Sequence, residues 1–160
     1  MEKHPQYLFG RMTTRQKLMK GVNLVYYGVR NTLSPKGSNS LIIIPGYSSP
    51  LITNDGATIS KYISSEDPLI NAGCDLVREV ALKSNEIAGD GTTTSIILAR
   101  NLMEGCFKYL EKNPNKEMYL SQELRKVKSL VKDWIANSGI AREVKTENDI
   151  KMIATVSSND

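Results

Sequence analysis

Ligands for a tightly held transition metal are scarce in this chain. It has one histidine, His4, and two cysteines, Cys74 and Cys106, in 160 residues. No CxxC pair and no Cys/His cluster is present, so the spacing of a zinc site is missing. Both cysteines sit among apolar neighbours and read as buried free thiols in a reducing compartment. Long apolar runs are also missing. The longest, "LIIIP" from Leu41, is far short of the ~20 residues that span a bilayer. The first ten residues, "MEKHPQYLFG", lack the apolar segment of a signal peptide. These absences make a soluble, cytoplasmic protein with no membrane partner the expectation.

Charge of one sign is not in large excess. Lys plus Arg is 21 and Asp plus Glu is 17, a net charge of +4. Much of the surplus lies in residues 108–132, where charges alternate with apolar residues at helical spacing. That pattern describes a solvated helix face rather than a nucleic-acid groove, and no nucleic-acid partner is expected. There is no GxxxxGK[ST] loop and no series of strands, which excludes a small P-loop kinase.

What is present is helical periodicity. Leu18, Val22, Val25 and Val29 step by three or four, the stripe of an amphipathic helix, with Thr13 or Thr14 as its N-cap. This helix should stop near Asn31, because Pro35 disfavours helical geometry at Ser34. Pro68, preceded by Glu66 and Asp67, opens a second long helix. Its face is Ile70, Cys74, Val77, Val80 and Ala81, and Gly89 ends it. A third follows, with Ile96, Ile97, Leu98, Leu102, Cys106 and Tyr109 on its apolar face and a stop at Asn113 and Pro114. A fourth carries the stripe Leu120, Leu124, Val127, Val131, Trp134 and Ile135 and breaks at Ser138 and Gly139. "ENDIKMIATVSSND" begins another helix. The one strand pair is "SLIIIPGYSSPLIT", a hairpin of residues 41–44 against Leu51–Thr53 around a Pro-Gly turn. A lone hairpin is marginal in water, so it wants a partner strand elsewhere in a longer chain or on another subunit. The fold class is mainly α, a helical bundle with one small β-hairpin.

The stretch "NEIAGDGTTTS", from Asn85 to Ser95, lies between two long helices. It has two readings. Asp or Thr before a helix, flanked by glycine, is ordinary capping. Alternatively, the free N–H groups of the helix start form an anion site. Gly91 would then let the backbone approach a phosphate, Thr92, Thr93 and Thr94 would supply hydroxyl donors, and Asp90 would hold magnesium. Two more loops of similar composition, "TLSPKG" and "TNDG", each fall at the end of an element. Three such loops could converge at one end of a bundle.

Taken in order, "TLSPKG", "ITNDG", "LVREVALKSNEIAGDGTTT" and "IATVSSND" resemble the N-terminal part of a group I chaperonin, one of the GroEL-like ring ATPases of the sixty-kilodalton chaperonin family. "NDGATI" is also similar to the group II members. The resemblance runs from about Phe9 to Asp160. It implies a GroEL-like equatorial-domain helical bundle in residues 1–137 and the start of an intermediate domain in residues 138–160. It implies ATP, Mg2+ and K+ as ligands. Thr32, Leu33, Ser34 and Pro35 would line the nucleotide, Asp90 would bind the metal, and Gly91, Thr92, Thr93 and Thr94 the phosphates. Asp55 would position the attacking water, and Asn54 would lie beside the monovalent cation. Two residues depart from the family pattern: Ser34 replaces a glycine, and Asn54 stands where group I members carry lysine and group II members asparagine.

Partners implied by the resemblance are identical subunits in stacked rings, a co-chaperonin lid and unfolded protein clients. The family's apical domain and its returning equatorial segment, with a second catalytic acid, are not in these 160 residues. The chain is therefore expected to be a fragment. The alternative reading is a non-catalytic helical interaction module derived from a truncated chaperonin.

Overall fold

The computed structural model describes residues 11–33, 37–44, 49–141 and 143–158. Its elements run α1 (Arg11–Val29), a 3-10 turn (Arg30–Thr32), β1 (Ser40–Ile42), β2 (Leu51–Thr53), α2 (Gly56–Tyr62), α3 (Pro68–Ala88), α4 (Thr92–Lys112), α5 (Glu117–Asn137) and α6 (Glu147–Ser158). Among the described residues the fold is mainly α with one small hairpin, as the periodicity predicts. The chain divides into two compact units, Met1–Lys108 and Tyr109–Asp160, parting within α4.

The first unit is built around the crossing of α1 and α3, which is made by glycines. A Cβ on Gly21 would lie 1.8 Å from the carbonyl oxygen of Ile70, and one on Gly73 would lie 2.1 Å from that of Leu18. The two backbones touch, and only residues without a side chain permit it. The Cys74 thiol donates to the Gly21 carbonyl at 3.4 Å. Lys17 Nζ meets Asp67 Oδ2 at 2.6 Å and ties the same two helices together nearer the start of α3. Around this contact lies the core: Val22, Val25 and Val29 of α1, Ile59 of α2, Cys74, Val77 and Ala81 of α3, and Ile96 of α4.

Helix ends follow their local chemistry. Asp67 caps α3 by accepting from the N–H groups of Leu69 at 2.9 Å and Ile70 at 3.3 Å. Pro68 occupies the first turn, and Gly89 closes the helix in the left-handed region at φ 69°. Arg78 reaches from α3 to the end of α2, where Nε donates to Ser60 O at 3.1 Å and Nη2 to Ile63 O at 2.7 Å. These carbonyls have no partner within their own helix, and the guanidinium supplies one. Arg100 of α4 donates to Asn23 Oδ1 of α1 at 2.9 Å and lies over the Tyr26 ring, 5.0 Å from its centroid.

Several expectations are corrected. Thr13 and Thr14 lie inside α1 and do not cap it, since the helix already includes Arg11. The first strand is Ser40–Ile42 rather than residues 41–44, because β2 offers three partners and the register sets Ser40 opposite Thr53. The turn at Pro45 and Gly46 lies outside the described residues. On α4, Ile96 is fully buried while Leu98 is 64% and Leu102 55% exposed. Each helical residue turns by about 100°, so residues 96, 97 and 98 cannot share one face. Val80 lies exposed on α3, and Cys106 is half-buried rather than buried.

In the second unit, the stripe of α5 has the right period but is covered only in part: Leu120 and Leu124 are half-buried, and Trp134 is 61% exposed. α6 begins with a reciprocal capping pair. Thr146 Oγ1 donates to Asp149 Oδ2 at 2.8 Å, and Asp149 N donates back to Thr146 Oγ1 at 3.2 Å.

One glycine is dispensable. A Cβ on Gly105, within α4, meets nothing within 4 Å. Alanine there costs no contact and lowers the entropy of the unfolded chain. Gly105→Ala is expected to raise stability by about 0.5–1 kcal/mol, read from a thermal or urea melt. A lower melting temperature would refute it.

Candidate functional site

Three loops meet at the start of α4. The 3-10 turn carries Thr32, whose hydroxyl donates to Val29 O at 2.7 Å and lies 3.3 Å from Thr93 Oγ1. Gly56, the first residue of α2, is buried against the same threonine. A Cβ on Gly56 would lie 2.2 Å from Thr93 Oγ1 and 3.4 Å from Thr92 Oγ1. Thr32, Gly56, Thr92 and Thr93 are thus in one place, although 61 residues separate the first from the last. Strand β2 carries the chain to this point. Asp55 follows it, with its N–H donating to Thr53 Oγ1 at 3.1 Å.

Asp55 is the N-cap of α2. Its carboxylate accepts from Ala57 N at 3.2 Å, Thr58 N at 2.9 Å and Thr58 Oγ1 at 2.5 Å. Partial burial pushes its pKa up, but the hydrogen bonds of Thr58 and Ala57, with the charge of Lys61, together outweigh it. The net shift is downward from the ordinary 3.8. A carboxylate held so firmly ionised accepts a proton poorly, and its chemistry is to orient a donor such as water.

The cap and the charge can be separated. Asparagine caps a helix about as well as aspartate. Asp55→Asn keeps the cap and is expected to lose only the pH-dependent contribution of the charge, while Asp55→Ala loses both and costs about 1 kcal/mol. Because the folded pKa is depressed, the wild-type contribution is fully present above the unfolded value of about 4 and fades as pH falls through the folded one. Melts of the two variants between pH 7 and pH 2 check this. A larger loss for asparagine than for alanine would be the contrary result.

Between α3 and α4 the chain makes a tight loop at Gly89, Asp90 and Gly91. Both glycines are in the left-handed region, at φ 69° and 78°. The Asp90 side chain is exposed, and its Oδ1 accepts from Gly91 N at 2.5 Å. The Asp90 carbonyl accepts from Ser84 Oγ at 3.2 Å. Gly91 O accepts from Ser95 N at 2.8 Å, which starts the α4 ladder and leaves the N–H groups of the first turn without partners inside the helix. Thr92 is buried, Thr93 half-buried and Thr94 exposed.

Asn54 is exposed beside Asp55, and Leu33 is exposed after the 3-10 turn. Ser34 and Pro35 lie outside the described residues. Among the described residues no group of three or more His, Cys, Asp or Glu side chains could cage a metal.

Residues 26–159 match the sequence model of the TCP-1/cpn60 chaperonin family. The chain belongs to this family. It is similar to a protein named Chaperonin GroEL from Acholeplasma laidlawii (strain PG-8A). The two are 41% identical over 145 residues, which is 91% of this chain and 26% of that protein. Its structure is similar to the crystal structure of the chaperonin gp146 from the bacteriophage EL 2 (Pseudomonas aeruginosa), determined in the presence of ATP-BeFx. That match has a TM-score of 0.69 and 26% identity, and covers 91% of this chain and 25% of the other. The chain therefore spans about a quarter of the length of these two chaperonins. Its helices and single hairpin have the GroEL-like equatorial architecture.

Four residues around the start of α4 and the loop before it escape a motif reading. Gly56 admits α2 to the α4 terminus, Thr58 fixes the Asp55 carboxylate, and Ser84 and Ser95 brace the loop from the two helices that flank it. Thr58 is legible as the partner three residues after a capping aspartate. The others depend on contacts between elements and leave no local signal.

Proposed function

We propose that the chain is the N-terminal equatorial part of an ATP-dependent protein-folding chaperonin and forms the phosphate- and magnesium-holding half of its nucleotide site. The observation that supports it is the meeting of Thr32, Gly56, Thr92 and Thr93 at the start of α4. There the helix dipole and free N–H groups favour an anion.

In this reading Thr92, Thr93 and Thr94 bind phosphate oxygens through backbone N–H and hydroxyl groups, and Gly91 lets the backbone approach them closely. Asp90 holds magnesium by its exposed carboxylate. Bound magnesium supplies neutralisation of the charge that develops on the phosphates. Asp55 orients the attacking water without taking its proton early. Thr32 and Leu33, with Ser34 and Pro35, line the nucleotide, and Asn54 lies beside a K+ ion. Residues 1–137 belong to the equatorial domain and residues 138–160 open an intermediate domain. In the whole protein the subunits assemble as stacked rings with a co-chaperonin lid and take unfolded proteins as clients in the cytoplasm. The two-stranded hairpin has edges that a further strand from a neighbouring subunit could extend, and the outward pair Leu41 and Ile52, 61% and 62% exposed, offers it an apolar face.

A chimaera tests the proposal. This chain replaces the matching 145-residue part of the Acholeplasma laidlawii chaperonin, and magnesium-dependent ATP hydrolysis is compared with that of the parent. Turnover near the parental rate is the expected result. A correctly assembled chimaera that neither binds nor hydrolyses ATP would overturn the reading.

A further inference from the structure

The nucleotide loop has a brace that the site's own residues do not explain. Asp90 lies between two glycines in the left-handed region, Gly89 and Gly91. Such a segment has many accessible backbone conformations, and it must be held from outside to present a carboxylate in one direction. Two serines on different helices provide the hold. Ser95 Oγ, in the first turn of α4, donates to Ser84 Oγ at 3.0 Å. Ser84 Oγ, near the end of α3, donates to the Asp90 carbonyl at 3.2 Å. Each hydroxyl has one proton to give. The bond from Ser95 therefore occupies a lone pair of Ser84 and leaves the Ser84 proton for Asp90.

The consequence runs through the peptide plane. No described peptide bond is cis, so the Asp90 carbonyl and the Gly91 N–H point in opposite directions. Holding that carbonyl on Ser84 turns the Gly91 N–H the other way, where it donates to Asp90 Oδ1 at 2.5 Å. The same bond that fixes the peptide thus fixes one carboxylate oxygen and leaves Oδ2 for a cation.

We propose that Ser84 and Ser95 form a positioning latch that orients the peptide joining Asp90 and Gly91, and through it the metal-holding carboxylate. The latch rests on the nucleotide-site reading above. Its effect falls on affinity for magnesium-ATP rather than on the chemical step, because it orders the loop before the nucleotide arrives.

In the chimaera, Ser84→Ala is expected to weaken magnesium-ATP binding about 10-fold, the scale of a lost partner behind a metal ligand. The maximal rate at saturating magnesium-ATP should stay within about twofold, since the groups that face the reacting phosphate are intact. Ser95→Ala should cost less, about threefold, because Ser84 keeps its own bond to Asp90. The double variant should be no worse than Ser84→Ala, since Ser95 acts only through Ser84. Ser84→Thr keeps the hydroxyl and should restore binding. Wild-type affinity in Ser84→Ala, or additive losses in the double variant, would overturn the latch.

Hydrogen exchange without nucleotide judges it separately. The Gly91 amide should exchange faster in Ser84→Ala, and an unchanged rate would also overturn the proposal. If the wild-type chimaera binds no magnesium-ATP, the nucleotide reading fails by itself, and the exchange rate still decides whether the latch holds the loop.

Discussion

Replacing Asp90 by alanine in the chimaera is expected to lower magnesium-dependent ATP hydrolysis by at least about 100-fold, the scale on which a single preorganised electrostatic group contributes. The carboxylate is exposed, and its recorded partner is the N–H of its own neighbour, Gly91. It caps neither α2 nor α3, and among the described residues it makes no ion pair. Its removal should therefore leave the melting temperature almost unchanged while the activity disappears. Asp90→Asn sharpens the test, because it keeps an oxygen and the bond from Gly91 but loses the charge that attracts a divalent cation. Raising magnesium should recover part of the asparagine variant's rate and none of the alanine variant's. Turnover by Asp90→Ala at the wild-type rate would remove the metal assignment.

The second large effect is on stability. Gly21→Ala places a methyl group 1.8 Å from the Ile70 carbonyl oxygen and 2.8 Å from Cys74 N. Both are backbone atoms inside α3, so no change of rotamer relieves the clash. Helix α1 must move away from α3, which opens the core that Val22 and Val25 share with Cys74 and Val77. A loss of about 3 kcal/mol or more is expected, at or above the upper end of typical core overpacking, because both clashes are with backbone. Against a typical total of about 5–15 kcal/mol, that is enough to remove much of the folded population. Gly73→Ala should act alike, since its methyl group falls 2.1 Å from Leu18 O. Circular dichroism melts of the two variants, beside Gly105→Ala, check the argument. The three substitutions are chemically identical, so opposite signs isolate the effect of the crossing. A wild-type melting temperature for Gly21→Ala would show that the helices do not approach so closely.

The contrast shows where sequence reasoning is strong. Asp55, Asp67 and Gly89 act at helix ends through atoms within four residues, and the sequence carries that chemistry locally. The stripe of α1 was legible because Val22, Val25 and Val29 keep a helical period. On α4 the same method failed, since three consecutive apolar residues, Ile96 to Leu98, carry no period and do not say which one faces inward. On α5 the period was correct, but a shared face is not a covered face.

Determined by the sequence itself are the helical fold class, the two ends of α3, and the family, through "TLSPKG", "ITNDG" and "GDGTTT". These are local or ordered features, set by capping, propensity and periodicity. The tertiary structure decided that Gly21 and Gly73 are a contact rather than two weak points in helices. It also decided that Gly56 lets α2 reach Thr93, and that Ser84 and Ser95 hold the loop around Asp90. The physical reason is common to all three. Each depends on a distance between segments remote in the chain, and a glycine or a serine has the same local chemistry whether or not a neighbour arrives.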